Sequence, residues 1–324
     1  MQFQQNPRDQ KLQVSSQMYH IHLLDNFDER PYPLPDFGYT YCELLKIWLQ
    51  ESEDLPMSRK QKFGEKGFVV EMIPGCEDLI QESMDELIKI ATRGKTTRFN
   101  NLEELGKVLV DIFESDREKY VGLLKAFANT PTVQKFATLP GITTLAQELG
   151  VVSPSLVTPP ILHVVKDDLI LNRGKVFTPA HQDVISTKGS VGQLVLWIPL
   201  HTVSADNFGV EAWPGSHLLG ALPSANAEFG HTVLEKFIPL TNPDYIEVQK
   251  GEALVFSQYL IHRTCSSGQF RLAVSFRFND AQDKDWAARK FYSAFDRVQN
   301  TSKFEDSREL APKDALEYFQ RLCK

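Results

Sequence analysis

In Thr178-Pro179-Ala180-His181-Gln182-Asp183 an imidazole and a carboxylate stand two positions apart. On an extended chain such residues leave the same face, so His181 and Asp183 can share one ion. A second imidazole, His262, follows the strand-like run from residue 251 to 260. Two histidines and one carboxylate on one side of a metal leave three coordination positions open, the arrangement of Fe(II) centres that accept a chelating 2-oxo acid and dioxygen. The 79 positions from Asp183 to His262 leave room for several strands. The competing reading is a surface His-Gln-Asp turn, with His262 satisfied by a backbone carbonyl.

A 2-oxo acid with a second carboxylate needs a cation at its far end, and the planar fork of arginine can donate two parallel hydrogen bonds to it. Arg271, nine residues after His262, is the leading candidate. In the strand it opens, Arg271, Ala273, Ser275 and Arg277 share one face, while Leu272, Val274, Phe276 and Phe278 share the other. Arg277 can equally pair with an acid or reach a ligand. On a neighbouring strand Gln193, Val195 and Trp197 alternate, so Trp197 can wall the pocket and Gln193 can donate into it. A core tryptophan gives the same pattern. His217 lies in the turn Trp213-Pro214-Gly215-Ser216-His217 and is assigned a structural or substrate-side role. His20, His22, His163, His201 and His231 are read as core or surface residues. Lys175, Arg277 and the loop 204–209 are candidates for substrate-facing groups.

Residues 1–60 have weak periodicity and a proline-rich stretch at 31–35, and are read as an extension. The rest, 61–324, reads as one domain. Its first part, 61–150, begins with a strand at 67–73 and is then mainly helical. Leu79, Ile80, Met84, Leu87, Ile88 and Ala91 mark one helical face, and similar periodicity runs through 102–113, 120–127 and 143–149. From 151 to 280 short apolar runs separated by Gly, Pro, Asn, Asp and Ser predict strands at 161–166, 176–185, 192–200, 210–213, 232–239, 253–257 and 271–278. Strands at this spacing fit a jelly roll. Residues 281–324 return to helix, with a stripe of Ala315, Leu316, Phe319 and Leu322. The fold class is therefore α+β, a jelly-roll core carrying helices from both ends of the chain.

The four cysteines are scattered, with no Cys-x-x-Cys pair, so reduced thiols are expected rather than a disulfide framework or zinc knuckle. The formal charge of -7 comes with no dense basic block, which argues against nucleic acid or an anionic membrane surface as the main partner. No apolar run approaches the length of a membrane span and no secretory pattern opens the chain, so a cytoplasmic protein acting on a small molecule is the expectation. Oligomeric state stays open.

Together the pieces Gly67-Phe68-Val69-Val70, His181-Gln182-Asp183, Trp197, Trp213-Pro214-Gly215-Ser216-His217, His262 and Arg271 occur in an order that resembles the phytanoyl-CoA dioxygenase family of Fe(II)/2-oxoglutarate oxygenases. The resemblance runs from about residue 63 to 278. It implies a double-stranded β-helix of the cupin type, with His181, Asp183 and His262 as iron ligands and Arg271 and Trp197 as 2-oxoglutarate contacts. It further implies a dioxygenase that consumes O2 and 2-oxoglutarate, releases succinate and CO2, and normally hydroxylates its substrate. The aspartate favours hydroxylation, because related halogenases leave this position to a halide. Two rivals stand beside this reading: a catalytically silent jelly roll that binds a metal or ligand, and a zinc hydrolase or isomerase, which leaves Arg271 without a task.

Overall fold

The computed structural model describes residues 58–94, 102–156, 158–166, 178–204, 206–227, 230–292 and 319, all within the unit Tyr41–Lys324. The expected extension lies outside the described residues except for 58–60, and there the expectation is corrected. Ser58 caps a helix, α1 (Arg59–Lys66), in a reciprocal box with Gln61 that satisfies backbone N–H groups at the helix start. The chain leaves α1 through Gly67, whose φ of 82° a side chain would resist. A Cβ at Gly67 would also run into the ring of His217. This close approach packs the first turn of the domain against the 213–217 turn.

Strand β1 (Phe68–Met72) follows, then α2 (Cys76–Ala91), α3 (Leu102–Ser115), α4 (Arg117–Ala128), α5 (Pro131–Phe136) and α6 (Pro140–Glu148). In α2 the buried positions Leu79, Ile80, Met84 and Leu87 form the stripe expected from the periodicity. Glu77 and Asp78 lie in its first turn and Lys89 in its last, charges that complement the helix dipole.

The strands are β2 (Pro154–Leu156), β3 (Ile161–Lys166), β4 (Leu194–Pro199), β5 (Val210–Ala212), β6 (Ser224–Ala227), β7 (Gly230–Val233), β8 (Asp244–Ile246), β9 (Glu252–Ser257), β10 (His262–Thr264) and β11 (Phe270–Asp280). The larger antiparallel sheet runs β1-β9-β4-β11, and β11 pairs along its other edge with both β2 and β3. The smaller sheet is β10-β5-β8. An isolated bridge between His181 and His262 extends its edge.

Alternation along the central strands separates two cores. Leu194, Leu196, Ile198, Val255, Leu272, Val274 and Phe276 pack with the helices. Val195, Trp197, Leu254, Phe256 and Ala273 face the smaller sheet and meet its Val210, Ala212 and Ile246. With both faces covered, β11 is buried from Phe270 to Asn279, and each large apolar side chain there contributes on the order of 1.5–3 kcal/mol. Two such sheets, one backed by helices, make the α+β jelly roll.

Two predicted strands are revised. Of the run at 176–185, residues 178–185 hold only the bridge at His181 and the start of a short helix, α7 (Val184–Thr187), which Asp183 precedes without a side-chain capping bond. The run at 232–239 ends as β7 at Val233 and continues as a single 3-10 turn, Glu235–Phe237. The C-terminal stripe lies outside the described residues except for Phe319, which is buried with its ring edge-on to His217 at 4.5 Å. The last described helix, α8 (Lys284–Ala288), is capped by Asp283. Among the described residues no helix is long and apolar enough to cross a membrane.

Candidate metal centre

His262 opens β10, and its backbone pairs in both directions with that of His181. That bridge brings the imidazoles together across the edge of the smaller sheet, with ring centroids 4.2 Å apart. Asp183 is carried in by the turn that follows, which places its Oδ1 3.4 Å from His181 Nε2 and 3.8 Å from His262 Nε2. Among the described residues these three form the group whose ligand atoms could surround one ion, all within 4.8 Å of one another. The residue between them also points inward. Gln182 donates to the carbonyls of Gly220 and Tyr259 and accepts from the Leu222 amide, pinning the turn.

The proton positions suit a cation. His181 Nδ1 lies 2.8 Å from the Pro179 carbonyl and His262 Nδ1 3.0 Å from the Leu260 carbonyl. A carbonyl only accepts, so each Nδ1 carries the hydrogen and each Nε2 keeps its lone pair. Burial, reinforced by the neighbouring His181, lowers the His262 pKa to about 3, so the ring is neutral at physiological pH. Burial is the largest influence on the Asp183 carboxyl and pushes it upward, but the Arg277 guanidinium, the His181 hydrogen bond and the two neighbouring imidazoles together outweigh it and hold the group well below the usual carboxylate range.

Arg277 gives Nη2 and Nε to Asp183 Oδ2 at 3.0 and 3.3 Å, and Nη1 to Ser275 Oγ at 2.7 Å. Oδ2 is thus occupied while Oδ1 faces the imidazoles. Ser275 Oγ also lies 2.8 Å from His163 Nε2. Since the hydroxyl already accepts from Arg277, its own hydrogen is available to His163. In the sequence His163 has no acidic residue two positions away, which marks it as a core or surface residue. The register Ala273↔His163 puts it on the same face as the two arginines.

Arg271 is buried, at 3% exposure, and burial lowers its pKa to about 10. Its Nη1 donates to the carbonyls of Phe208 and Gly209 at 2.6 and 3.2 Å. On the Nε–Nη2 edge the Thr264 hydroxyl lies 3.4 Å from Nη2, and Nε has no partner among the described residues. No acidic side chain among the described residues pairs with it. The guanidinium sits 5.7 Å from the centre of the Trp197 ring.

Gln193 takes a different task from the cofactor contact expected of it. Its Oε1 accepts from Thr187 at 2.6 Å and its Nε2 donates to Asn279 at 3.1 Å, so the carboxamide is spent inside the protein. The same Thr187 hydroxyl lies 3.1 Å from the Asp183 carbonyl, so its single hydrogen is shared between two acceptors and Gln193 helps to hold the turn that carries the carboxylate. His201 likewise serves the backbone, with Nδ1 on the Thr202 carbonyl and Nε2 accepting from the Leu272 amide. His217 is fully buried and reaches the Gly64 carbonyl at 3.0 Å. Of the substrate-facing candidates, Lys175 lies outside the described residues.

Burial lowers the pKa of His217 to about 3 and depresses that of His201. Both rings stay neutral in the fold under conditions that protonate them in the unfolded chain, where histidine titrates near 6.5. The contribution is whole above about pH 6.5 and is lost as pH falls toward the folded values. The unfolding midpoint of the metal-free protein should therefore drop between pH 7 and 5, and His217→Gln should show a shallower decline. An unchanged slope in that variant would exclude His217 as a source.

The family model described as Phytanoyl-CoA dioxygenase (PhyH) matches residues 81–273. No curated protein matches the chain. Among solved structures, the non-heme alpha ketoglutarate dependent epimerase SnoN from nogalamycin biosynthesis aligns with a TM-score of 0.46 at 19% identity, covering 68% of this chain and 79% of that one. The carbocyclase SnoK from the same biosynthesis gives 0.46 at 15%, with 74% and 92% covered. EctD from S. alaskensis, solved with 2-oxoglutarate and 5-hydroxyectoine, gives 0.46 at 13%, with 72% and 80% covered.

Proposed function

Since the chain belongs to the phytanoyl-CoA dioxygenase family, we propose that it is a non-haem Fe(II)/2-oxoglutarate-dependent dioxygenase that hydroxylates a small-molecule substrate. The observation that carries this reading is the pairing of a His-Asp-His cluster with a buried arginine whose Nε–Nη2 edge has no acidic partner among the described residues. That edge is the one arginine uses for parallel bonds to a carboxylate. A buried cation lacking its anion is costly, and a distal carboxylate would supply it.

The donor set fits the metal: two imidazole Nε2 atoms and one carboxylate oxygen, on a preformed framework. His181, Asp183 and His262 would hold it, and Arg271 would take the far carboxylate of the 2-oxo acid beside Trp197. Fe(II) with 2-oxoglutarate supplies the activation of dioxygen, with release of succinate and CO2. The chain's own work is orientation. The carbonyls of Pro179 and Leu260 fix the ring tautomers, Arg277 keeps Asp183 to one available oxygen, and Trp197 with Val195 and Phe256 provides a dry wall. A silent metal-binding jelly roll, or a zinc hydrolase, gives the Arg271 edge nothing to do.

The test is an anaerobic titration of the protein with Fe(II) and then 2-oxoglutarate, followed by visible absorption, beside Asp183→Ala. A charge-transfer band in the native protein that weakens in the variant is the expected result. Bound iron without a band would overturn the oxygenase reading.

A further inference from the structure

Arg271 is held at one end by backbone, because the Phe208 and Gly209 carbonyls accept from its Nη1, while Nε on the opposite edge has no partner among the described residues. Those carbonyls lie in a tightly held segment. Phe208 has a φ of 26°, a left-handed value that a non-glycine residue adopts only under constraint. The Gln269 amide bonds the Asp206 carbonyl at 2.8 Å and the Cys265 amide bonds the Gly209 carbonyl at 2.9 Å. At Gly268 a Cβ would overlap the Phe208 amide nitrogen.

One side chain spans both sides of this segment. Tyr245, on β8, donates its hydroxyl hydrogen to the Ser204 carbonyl, while the Gly209 amide faces the same phenol oxygen. The fit leaves no spare room, for a Cβ at Gly209 would overlap the phenol. The register Glu211↔Tyr245 ties the ring to the strand that begins one residue after Gly209.

We propose that Tyr245 is a positioning residue for the co-substrate: its phenol staples Ser204 to Gly209 and so fixes the two carbonyls that orient Arg271 toward a distal carboxylate. The inference rests on the reading of Arg271 as that anchor. It makes Tyr245 specific for one end of the ligand. A 2-oxo acid lacking the far carboxylate would meet the metal but not the arginine, and would be indifferent to the staple.

Tyr245→Phe keeps the ring and removes only the oxygen. With Co(II) loaded in place of iron, calorimetry can compare the affinities of wild type and variant for the metal, 2-oxoglutarate and 2-oxobutanoate. The expected result is a 2-oxoglutarate Kd raised about tenfold, in line with a lost buried hydrogen bond, with the other two affinities unchanged. Gly209→Ala, which crowds the staple from the other side, should act in the same direction. Equal weakening for both 2-oxo acids, or no change for either in both variants, would overturn the role of Tyr245. A wild type that binds 2-oxoglutarate no better than 2-oxobutanoate would instead remove Arg271 as an anchor, and the proposal with it.

Discussion

Arg271→Met is expected to abolish useful 2-oxoglutarate binding while leaving the metal-free fold as stable as before, or more so. Truncating one partner of a buried, hydrogen-bonded charge pair costs about 2–5 kcal/mol, roughly 30-fold to several-thousand-fold in Kd. Without ligand the balance differs, because no acidic side chain among the described residues pairs with Arg271 and burial already disfavours its charge. Methionine fills similar space and removes that desolvation cost. Against this stands the Phe208 carbonyl, which would lose its 2.6 Å donor. Titration of the Co(II) protein with 2-oxoglutarate, beside thermal unfolding of the apo forms, measures both halves. A variant that retains near-native affinity would remove Arg271 from the site.

Arg277→Met should behave in the opposite way, because Arg277 and Asp183 compensate one another in a buried pair at 3.0 Å. Removing one member of such a pair costs about 3–5 kcal/mol, so the apo variant should unfold markedly earlier at neutral pH. A divalent metal would then provide the missing positive charge, and the rise in midpoint on adding Co(II) should exceed that of wild type. The sign with pH follows from Asp183, whose carboxyl is depressed in the fold. Its contribution is present above the unfolded value of roughly 4 and is lost as pH falls toward the folded value. The gap between wild type and variant should therefore narrow in acid. Equal stability at pH 7 would show that the pair carries little weight.

Much of this arrangement is written in local pattern. The alternation of β11 separates the arginines from the Leu-Val-Phe face by period alone, and the candidate ligands His181, Asp183 and His262, which the fold brings together, are found by residue type and spacing. What local pattern cannot carry is partnership across the chain. Arg271 and Arg277 share a face, and nothing in the sequence shows that Asp183, 94 positions from Arg277, claims the second of them. Gln193 looks free on its strand, but Thr187 and Asn279 converge on it. The strand predicted around His181 fails because Gln182 also turns inward, breaking the alternation. Strands β2, β8 and β10 are three residues each, too short to show a period. Tyr245 therefore escapes notice, sitting in such a strand between Asp244 and Ile246.

Strand β11 also acts as a gauge. It carries Arg277, which pairs with Asp183, and Arg271, the proposed anchor for the far end of the co-substrate, six residues apart on one uninterrupted strand, a spacing of roughly 20 Å at about 3.4 Å per residue. A single-residue insertion between them would turn one guanidinium into the helix-side core, and only a two-residue step, about 7 Å, would keep both facing inward. The separation between the two guanidinium groups is in that sense quantised. A one-residue drift cannot retune it, so a change of spacing takes a full two-residue step along this strand or a move to another.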